Sequence, residues 1–254
     1  MNIKRINILN SVVDLISVEK LHDCINSFIE NNQKAIIGNI NIHAVNLAYN
    51  HKWYANFIKG CPIVFCDGKG IQLGAWLLGH TVPTQITYHT WMWQLLAFCN
   101  KYNYSLFFLG SKNGVAQQAI KYIKEKHKDL ELHSHHGYFE KKGKENNIVI
   151  EQINKIKPDI LIVGFGMPMQ EKWISDNYNN LNAKIFLNGG AFLEWLSGNQ
   201  KQCPPFLTKI GMEWLYRLIL EPRRLFKRYV YGNPVFLFRI ICFRIKQYFG
   251  LINE

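Results

Sequence analysis

Val163-Gly164-Phe165-Gly166-Met167-Pro168-Met169-Gln170-Glu171-Lys172-Trp173 joins an apolar, β-branched run to a polar helix start through two glycines. The run that feeds it, Ile160 to Val163, is unbroken, as expected of a strand covered on both faces of a parallel sheet. Pro168 suits the first turn of a following helix, where its missing N–H is not needed. A helix starting there turns its free N–H groups and positive dipole end toward the C-terminal edge of the sheet, where phosphates bind in open α/β folds. An ordinary strand-to-helix turn fits the same string, because two glycines at this spacing are a weak fingerprint.

The alternation of strand and helix continues outward. The pattern predicts a helix over 18–30, a strand over 35–40, a helix over 44–54 and a strand over 63–66, with a helix after Asp67-Gly68. Further on it predicts a strand over 105–109, a helix over 114–126, a strand near 130–133 and a helix over 148–156 before the quoted segment. A strand over 184–187 then ends at Asn188-Gly189-Gly190. No repeat interrupts the series, so the fold class is α/β: a largely parallel, Rossmann-like sheet flanked by helices. Gly, Asn, Gln and two prolines cluster between Gly198 and Pro205, which places a boundary there. The expected organisation is a core over 1–197 and a basic, aromatic, helical appendage over 198–254.

The chain of 254 residues is long enough to fold without staples. Its six cysteines form no CxxC pair and no metal-ligand spacing, which fits reduced thiols. The first residues carry no long apolar signal-peptide core, so the protein is expected to stay inside the cell. The net charge of +12 invites an anionic partner, and from Lys201 onward ten basic residues stand against three acidic ones. Trp214, Tyr216, Phe226, Tyr229, Tyr231, Phe236, Phe238 and Phe243 are interleaved with them, a mixture that suits an acidic bilayer interface. The tail is expected to be helical in pieces, with Glu221-Pro222 between two of them. Its apolar stretch over 235–245 is far short of the roughly 20 residues that cross a bilayer. A helix packed on the core with a solvated basic face fits this stretch as well.

Four loops follow predicted strands and should gather at the C-terminal sheet edge: Asn39-Ile40-Asn41, Cys66-Asp67-Gly68, Gly164 to Gln170, and Gly189-Gly190. An aspartate just after a buried strand is partly desolvated, which raises its pKa and makes it a usable general base. Asp67 is therefore the catalytic candidate, although a helix N-cap at that position reads equally well. His133 and His135 share one strand face and, with His136, raise the question of a metal, but no carboxylate or cysteine set completes a site. No Asp-x-Asp pair follows a strand to hold a divalent ion on a diphosphate. A phosphate leaving group would then be met by helix N-termini and by Arg or Lys, which the tail can supply.

Asn41, Asp67-Gly68, His136-Gly137-Tyr138-Phe139, the quoted Gly-x-Pro-x-Gln-Glu-x-Trp and Gly189-Gly190-Ala191-Phe192 together resemble the WecG/TagA/CpsF family of glycosyltransferases. Gly211-Met212-Glu213-Trp214-Leu215-Tyr216-Arg217-Leu218 and Glu221-Pro222-Arg223-Arg224 are similar to that family's C-terminal signature. The resemblance implies an inverting, metal-independent transfer of a sugar from a UDP-sugar to an undecaprenyl-diphosphate-linked sugar acceptor. The donor would be of the N-acetylmannosamine, mannosaminuronate or hexose type. The place would be the cytoplasmic face of a bacterial membrane, in cell-surface polysaccharide synthesis, with the protein peripheral and no cofactor.

By the same resemblance Asp67 matches the proposed base and Asn41 a sugar-binding position. Tyr138 matches a residue near the uracil, Gln170 with Gly166 the diphosphate loop, and Glu194 an aspartate near the nucleoside. Arg217 and Arg224, with Lys227 or Arg228, match cations that close over the site. The chain departs from the family pattern at Asn39, where Thr is usual. It also has Gln85, Tyr88 and Thr90 where Arg, Gly and Asp are expected, and Gln202-Cys203-Pro204 in place of Arg-Ala-Pro. An arginine lost from a phosphate or carboxylate removes a contact worth about 1.5–3 kcal/mol. An alternative reading of the basic aromatic tail is nucleic-acid binding, but no helix-turn-helix, zinc-ligand or RNA-stacking motif accompanies it. A nicotinamide site is weakened by Lys184, which stands where an acidic ribose reader is expected.

Overall fold

A computed structural model describes residues 3–199 and 203–251 of the chain. The first elements are β1 (Arg5–Ile8), β2 (Ser11–Asp14), α1 (Val18–Glu30), β3 (Ala35–Ile40), α2 (Ile42–Asn50), α3 (Lys52–Gly60), β4 (Ile63–Cys66) and α4 (Lys69–Leu77). Next come α5 (Tyr88–Tyr102), β5 (Leu106–Gly110), α6 (Val115–Lys124), β6 (Leu132–His135), α7 (Gly143–Ile156), β7 (Ile160–Gly164), α8 (Met169–Asn177), β8 (Ile185–Asn188) and α9 (Phe192–Leu196). The C-terminal stretch holds α10 (Pro205–Lys209), α11 (Glu213–Leu220), α12 (Pro222–Phe226), a π-helical turn at Lys227–Tyr231, and α13 (Gly232–Tyr248).

Six strands form one sheet in the order β4-β3-β8-β7-β5-β6, and β1 and β2 form a separate antiparallel pair. The pairs β3–β8, β8–β7, β7–β5 and β5–β6 are all parallel. With helices following the strands, this is the α/β architecture that the unbroken apolar runs predict. Backbone contacts divide the chain into two compact units. The first takes in Met1–Ser17, Asn39–Thr87 and Gln202–Glu254, and the second Val18–Gly38 and Tyr88–Lys201.

In the second unit Leu106 to Leu109, Ile160 to Val163 and Ile185 to Leu187 are buried along their whole length, which is why these strands show no polar alternation. Gly110 pairs with Gly164 at the strand ends. A Cβ on Gly164 would come 2.6 Å from the Gly190 carbonyl oxygen, so only glycine allows the loops to approach this closely. The Trp173 indole N–H donates to Asn146 Oδ1 at 2.7 Å, and Asn146 Nδ2 donates to Asn177 Oδ1 at 3.0 Å, which ties α8 to α7.

In the first unit Arg5 grips the buried Asp14 in bidentate fashion at 2.7 and 2.8 Å, and Asp14 Oδ2 also accepts the Val64 N–H at 2.7 Å. The hairpin thereby fixes β4, the strand that presents Asp67. The C-terminal helix docks on α2 through three hydrogen bonds. Asn46 Nδ2 donates to the Gly232 carbonyl at 2.8 Å, while Arg239 donates to Asn46 Oδ1 at 2.8 Å and Asn50 Oδ1 at 2.9 Å. Its Phe236 ring presses on α4, where a Cβ on Gly74 would come 2.5 Å from Phe236 Cζ.

Several boundaries differ from the sequence pattern for identifiable reasons. The helix expected over 44–54 is two helices, broken at His51, whose extended backbone both ends α2 and starts α3. The last predicted strand before α7 begins at Leu132 rather than 130, because Leu130 is buried in the preceding turn instead of the ladder. Helix α7 starts at Gly143, five residues before 148, in a turn with no apolar residue to mark it. The β1–β2 hairpin and the long helix α5 have no counterpart in the predicted pattern. Gln202 lies outside the described residues.

Candidate active site

Asp67 ends β4, and its N–H donates to the Ile40 carbonyl at 2.8 Å, which seats it level with the end of β3. Gly68 follows with φ +113, a conformation suited to glycine, and forms the N-cap of α4. The cap position therefore belongs to Gly68, and the Asp67 carboxylate has other partners. Its Oδ2 accepts from Asn39 Nδ2 and from Asn41 Nδ2, each at 3.2 Å. Asn41 is itself the N-cap of α2, its Oδ1 accepting the Ala44 N–H at 3.1 Å, so its amide is oriented with the donor toward Asp67. Asn39 is 1% exposed and its Oδ1 has no partner. It braces the carboxylate from behind.

Burial pushes the Asp67 carboxyl above the ordinary carboxylate range, and the charge of Glu213 pushes the same way. The Asn41 hydrogen bond, Arg217 and Arg228 oppose the rise. All of these groups except Asn39 line one cavity of about 450 Å³. Gln85 lines it too, together with Lys69, Thr87, Trp214 and Tyr229. Thus Asn41, Asp67, Gln85, Arg217 and Arg228 are brought together, with Asn39 one hydrogen bond behind. Arg224 and Lys227 are not among the lining residues. Arg224 is instead paired on the surface with Glu221 at 2.5 and 2.8 Å. Arg228 has its Nε buried without a hydrogen-bond partner, and burial works against its charge.

Two cavity residues escaped the sequence reading of the site. Glu213 has its carboxyl raised by burial, opposed by Arg217. It stands one turn from Arg217, a spacing visible in the sequence without any sign of the cavity. His43 sits in the first turn of α2, where burial and Arg228 push its imidazole down to about 4. It is a neutral donor and acceptor at neutral pH.

The second unit gathers the other predicted residues. Gln170 is 0% exposed, and its Oε1 accepts the N–H groups of Gly166 at 3.1 Å and Gly190 at 3.0 Å. Its Nε2 donates to Glu171 Oε1 at 2.9 Å, and Asn188 Nδ2 donates to the same oxygen at 3.0 Å. Gln170 therefore clamps the loops after β7 and β8. Glu194 accepts a hydrogen bond from the Ser111 hydroxyl. The Ser111 carbonyl accepts the Gly137 N–H at 2.8 Å, beside Tyr138, whose ring is 70% exposed.

His133 Nε2 meets Glu131 at 2.9 Å, and His135 Nδ1 meets the His136 carbonyl at 2.8 Å. Among the described residues no group of three or more His, Cys, Asp or Glu side chains is placed to hold a metal ion. Nor is any helix among them long and apolar enough to cross a membrane.

The chain is similar to known sequences. The model of the Glycosyl transferase WecG/TagA/CpsF family matches residues 6–249. A protein of Staphylococcus aureus (strain MRSA252) named N-acetylglucosaminyldiphosphoundecaprenol N-acetyl-beta-D-mannosaminyltransferase is 26% identical over 241 residues, covering 94% of this chain and 93% of its own length. Proteins of the same name from strains NCTC 8325 / PS 47 and COL are similar to the same extent. With the match running from β1 through α13, the chain belongs to the WecG/TagA/CpsF glycosyl transferase family and is a glycosyltransferase.

Proposed function

We propose that this glycosyltransferase moves an N-acetylmannosamine-type sugar from a UDP-sugar to N-acetylglucosaminyl-diphosphoundecaprenol, with inversion and without a metal ion. The names of the Staphylococcus aureus relatives support the acceptor and the sugar type. The observation that carries the mechanism is the Asp67 carboxylate, anchored on one oxygen by Asn39 and Asn41 in a cavity that also holds Arg217 and Arg228.

In this mechanism Asp67 takes the proton of the acceptor hydroxyl as its oxygen attacks the anomeric carbon. The asparagines fix the direction of the free carboxylate oxygen, and a pKa above the carboxylate norm makes it a stronger base. A single displacement at one face inverts the anomeric centre. Negative charge building on the departing UDP is met by Arg217 and Arg228. Gln85, which stands where the family pattern has arginine, lines the same cavity as these two cations. In the second unit Gln170 acts by clamping the loops after β7 and β8 through the Gly166 and Gly190 N–H groups.

The C-terminal helices serve as the membrane contact. Val235, Phe238, Ile241, Ile245, Tyr248 and Phe249 are exposed along or just after α13, with Lys and Arg between them. The protein then works as a peripheral enzyme on the cytoplasmic face.

The test is a panel of UDP-sugars offered with a short-chain prenyl-diphosphate N-acetylglucosamine, reading mass addition with and without a chelator. UDP-N-acetylmannosamine should give the product in both conditions, with the new bond of opposite anomeric configuration to the donor. Folded protein that transfers no sugar from any donor would remove this reading.

A further inference from the structure

The cavity around Asp67 has more apolar wall than a sugar and a diphosphate require. Leu73 on α4, Ile210 after α10 and Leu237 on α13 all line it. Leu73 is 45% exposed and Ile210 67%, while Trp76, one turn beyond Leu73, is 67% exposed. The three supporting elements meet at α4. Phe236 of α13 packs on Gly74, and a Cβ on Gly211 would come 3.4 Å from Lys69 Cβ. Large apolar side chains that line one cavity and stand open to water mark a surface with a partner. Hydroxyl-rich sugar gains little from such a wall, and a flat bilayer does not reach side chains that line a cavity.

We propose that this apolar lip is the subsite for the isoprenoid chain of the lipid-diphosphate acceptor. With the acceptor hydroxyl at Asp67, the first isoprene units lie over Leu73, Ile210 and Leu237, which line the same cavity, and leave past Trp76. Branched, flexible hydrocarbon fits a wall of Leu and Ile, and burying its CH2 groups favours binding. The proposal rests on the reading of the acceptor given under Proposed function. It adds that the enzyme grips the lipid itself and does not only meet it through the membrane.

The test uses two water-soluble acceptors with the same N-acetylglucosaminyl diphosphate, one esterified to farnesyl and one to methyl, with no vesicle or detergent present. The wild-type chain should show an acceptor KM roughly tenfold lower for the farnesyl compound. Leu73→Ser combined with Leu237→Ser should raise that KM about tenfold while leaving the methyl acceptor, the donor KM and the melting temperature nearly unmoved. Trp76→Ser, outside the cavity, should give a smaller change in the same direction. Equal KM values for the two acceptors in the wild type, or an equal penalty on both in the double variant, would overturn the lip. Absence of transfer to either acceptor by folded wild-type chain would overturn the acceptor reading and the lip with it.

Discussion

Asp67 in the first unit and Gln170 in the second both stand just past the end of a buried parallel strand, yet their surroundings are opposite. The polar atoms of Gln170 are all engaged: one oxygen takes two backbone N–H groups and the amide nitrogen reaches Glu171. Around Asp67 the groups are left partly unmet. Asn39 Oδ1 and Arg228 Nε are buried without partners, and the carboxyl is pushed above its ordinary range. The network around Gln170 has its own unmet group, the buried Asn188 Oδ1, but at Gln170 itself every polar atom is spent on holding backbone or Glu171 in place. We propose that the contrast separates a scaffold role for Gln170 from a chemical role for Asp67, at two positions that look alike in the sequence.

The largest effect should come from breaking the chemistry alone. Asp67→Asn keeps an acceptor for the two asparagine amides but removes the base, so kcat should fall by about 10³-fold. Its stability should move the other way. The fold holds this carboxyl above its unfolded pKa, so ionised Asp67 costs stability at neutral pH, and that cost is relieved as pH falls through the folded value. The asparagine carries no such cost. Thermal melting at pH 7 should show a melting temperature no lower than wild type.

Breaking the scaffold should do the reverse. Gln170→Ala leaves the Gly166 and Gly190 N–H groups without their acceptor and takes one of its donors from Glu171, and should destabilise the fold by about 2–4 kcal/mol in a denaturant melt. Activity should fall less than in the aspartate variant. A Gln170→Ala protein of wild-type stability that has lost all activity would place Gln170 with the chemistry.

The smallest effect sharpens the electrostatic half of the contrast. Asp67 must be ionised to accept a proton, so activity should rise with pH along an acid limb set above the usual carboxylate range. Glu213 raises that pKa and Arg228 lowers it. Glu213→Gln should therefore move the limb of kcat/KM to lower pH, and Arg228→Met should move it to higher pH. Shifts of the same sign in both variants would remove Asp67 as the group that sets the limb.

Much of this was legible in the chain. The strands at Ala35–Ile40 and Ile63–Cys66 and the helix at Val18–Glu30 fall where the apolar runs and spacing put them, because burial on both faces leaves an unmixed signal. Helix α5 was hidden although its buried Tyr88, Trp91, Met92, Leu95, Leu96 and Cys99 keep helical spacing. Trp93 sits off that stripe and blurs it. The hairpin strands β1 and β2 have four residues each, too few for a period to show. At the site, Asp67 and Asn41 carry a local signature of strand end and helix start. His43 and Arg228 do not, since what matters about them is burial produced when the C-terminal helices pack on α2 and α4. Arg224 and Lys227 look equal to Arg228 in sequence and differ only in which way the helix turns them.

The hydrogen bonds from Arg239 to Asn46 and Asn50 join the last helix to one made nearly two hundred residues earlier. The cavity wall formed by residues 208–237 is therefore absent until the final fifth of the polypeptide has been synthesised. A nascent chain still held by the ribosome has its base but no closed pocket around it, and a chain clipped ahead of α11 returns to that state. Only a polypeptide finished to its C-terminal helices closes the cavity around Asp67.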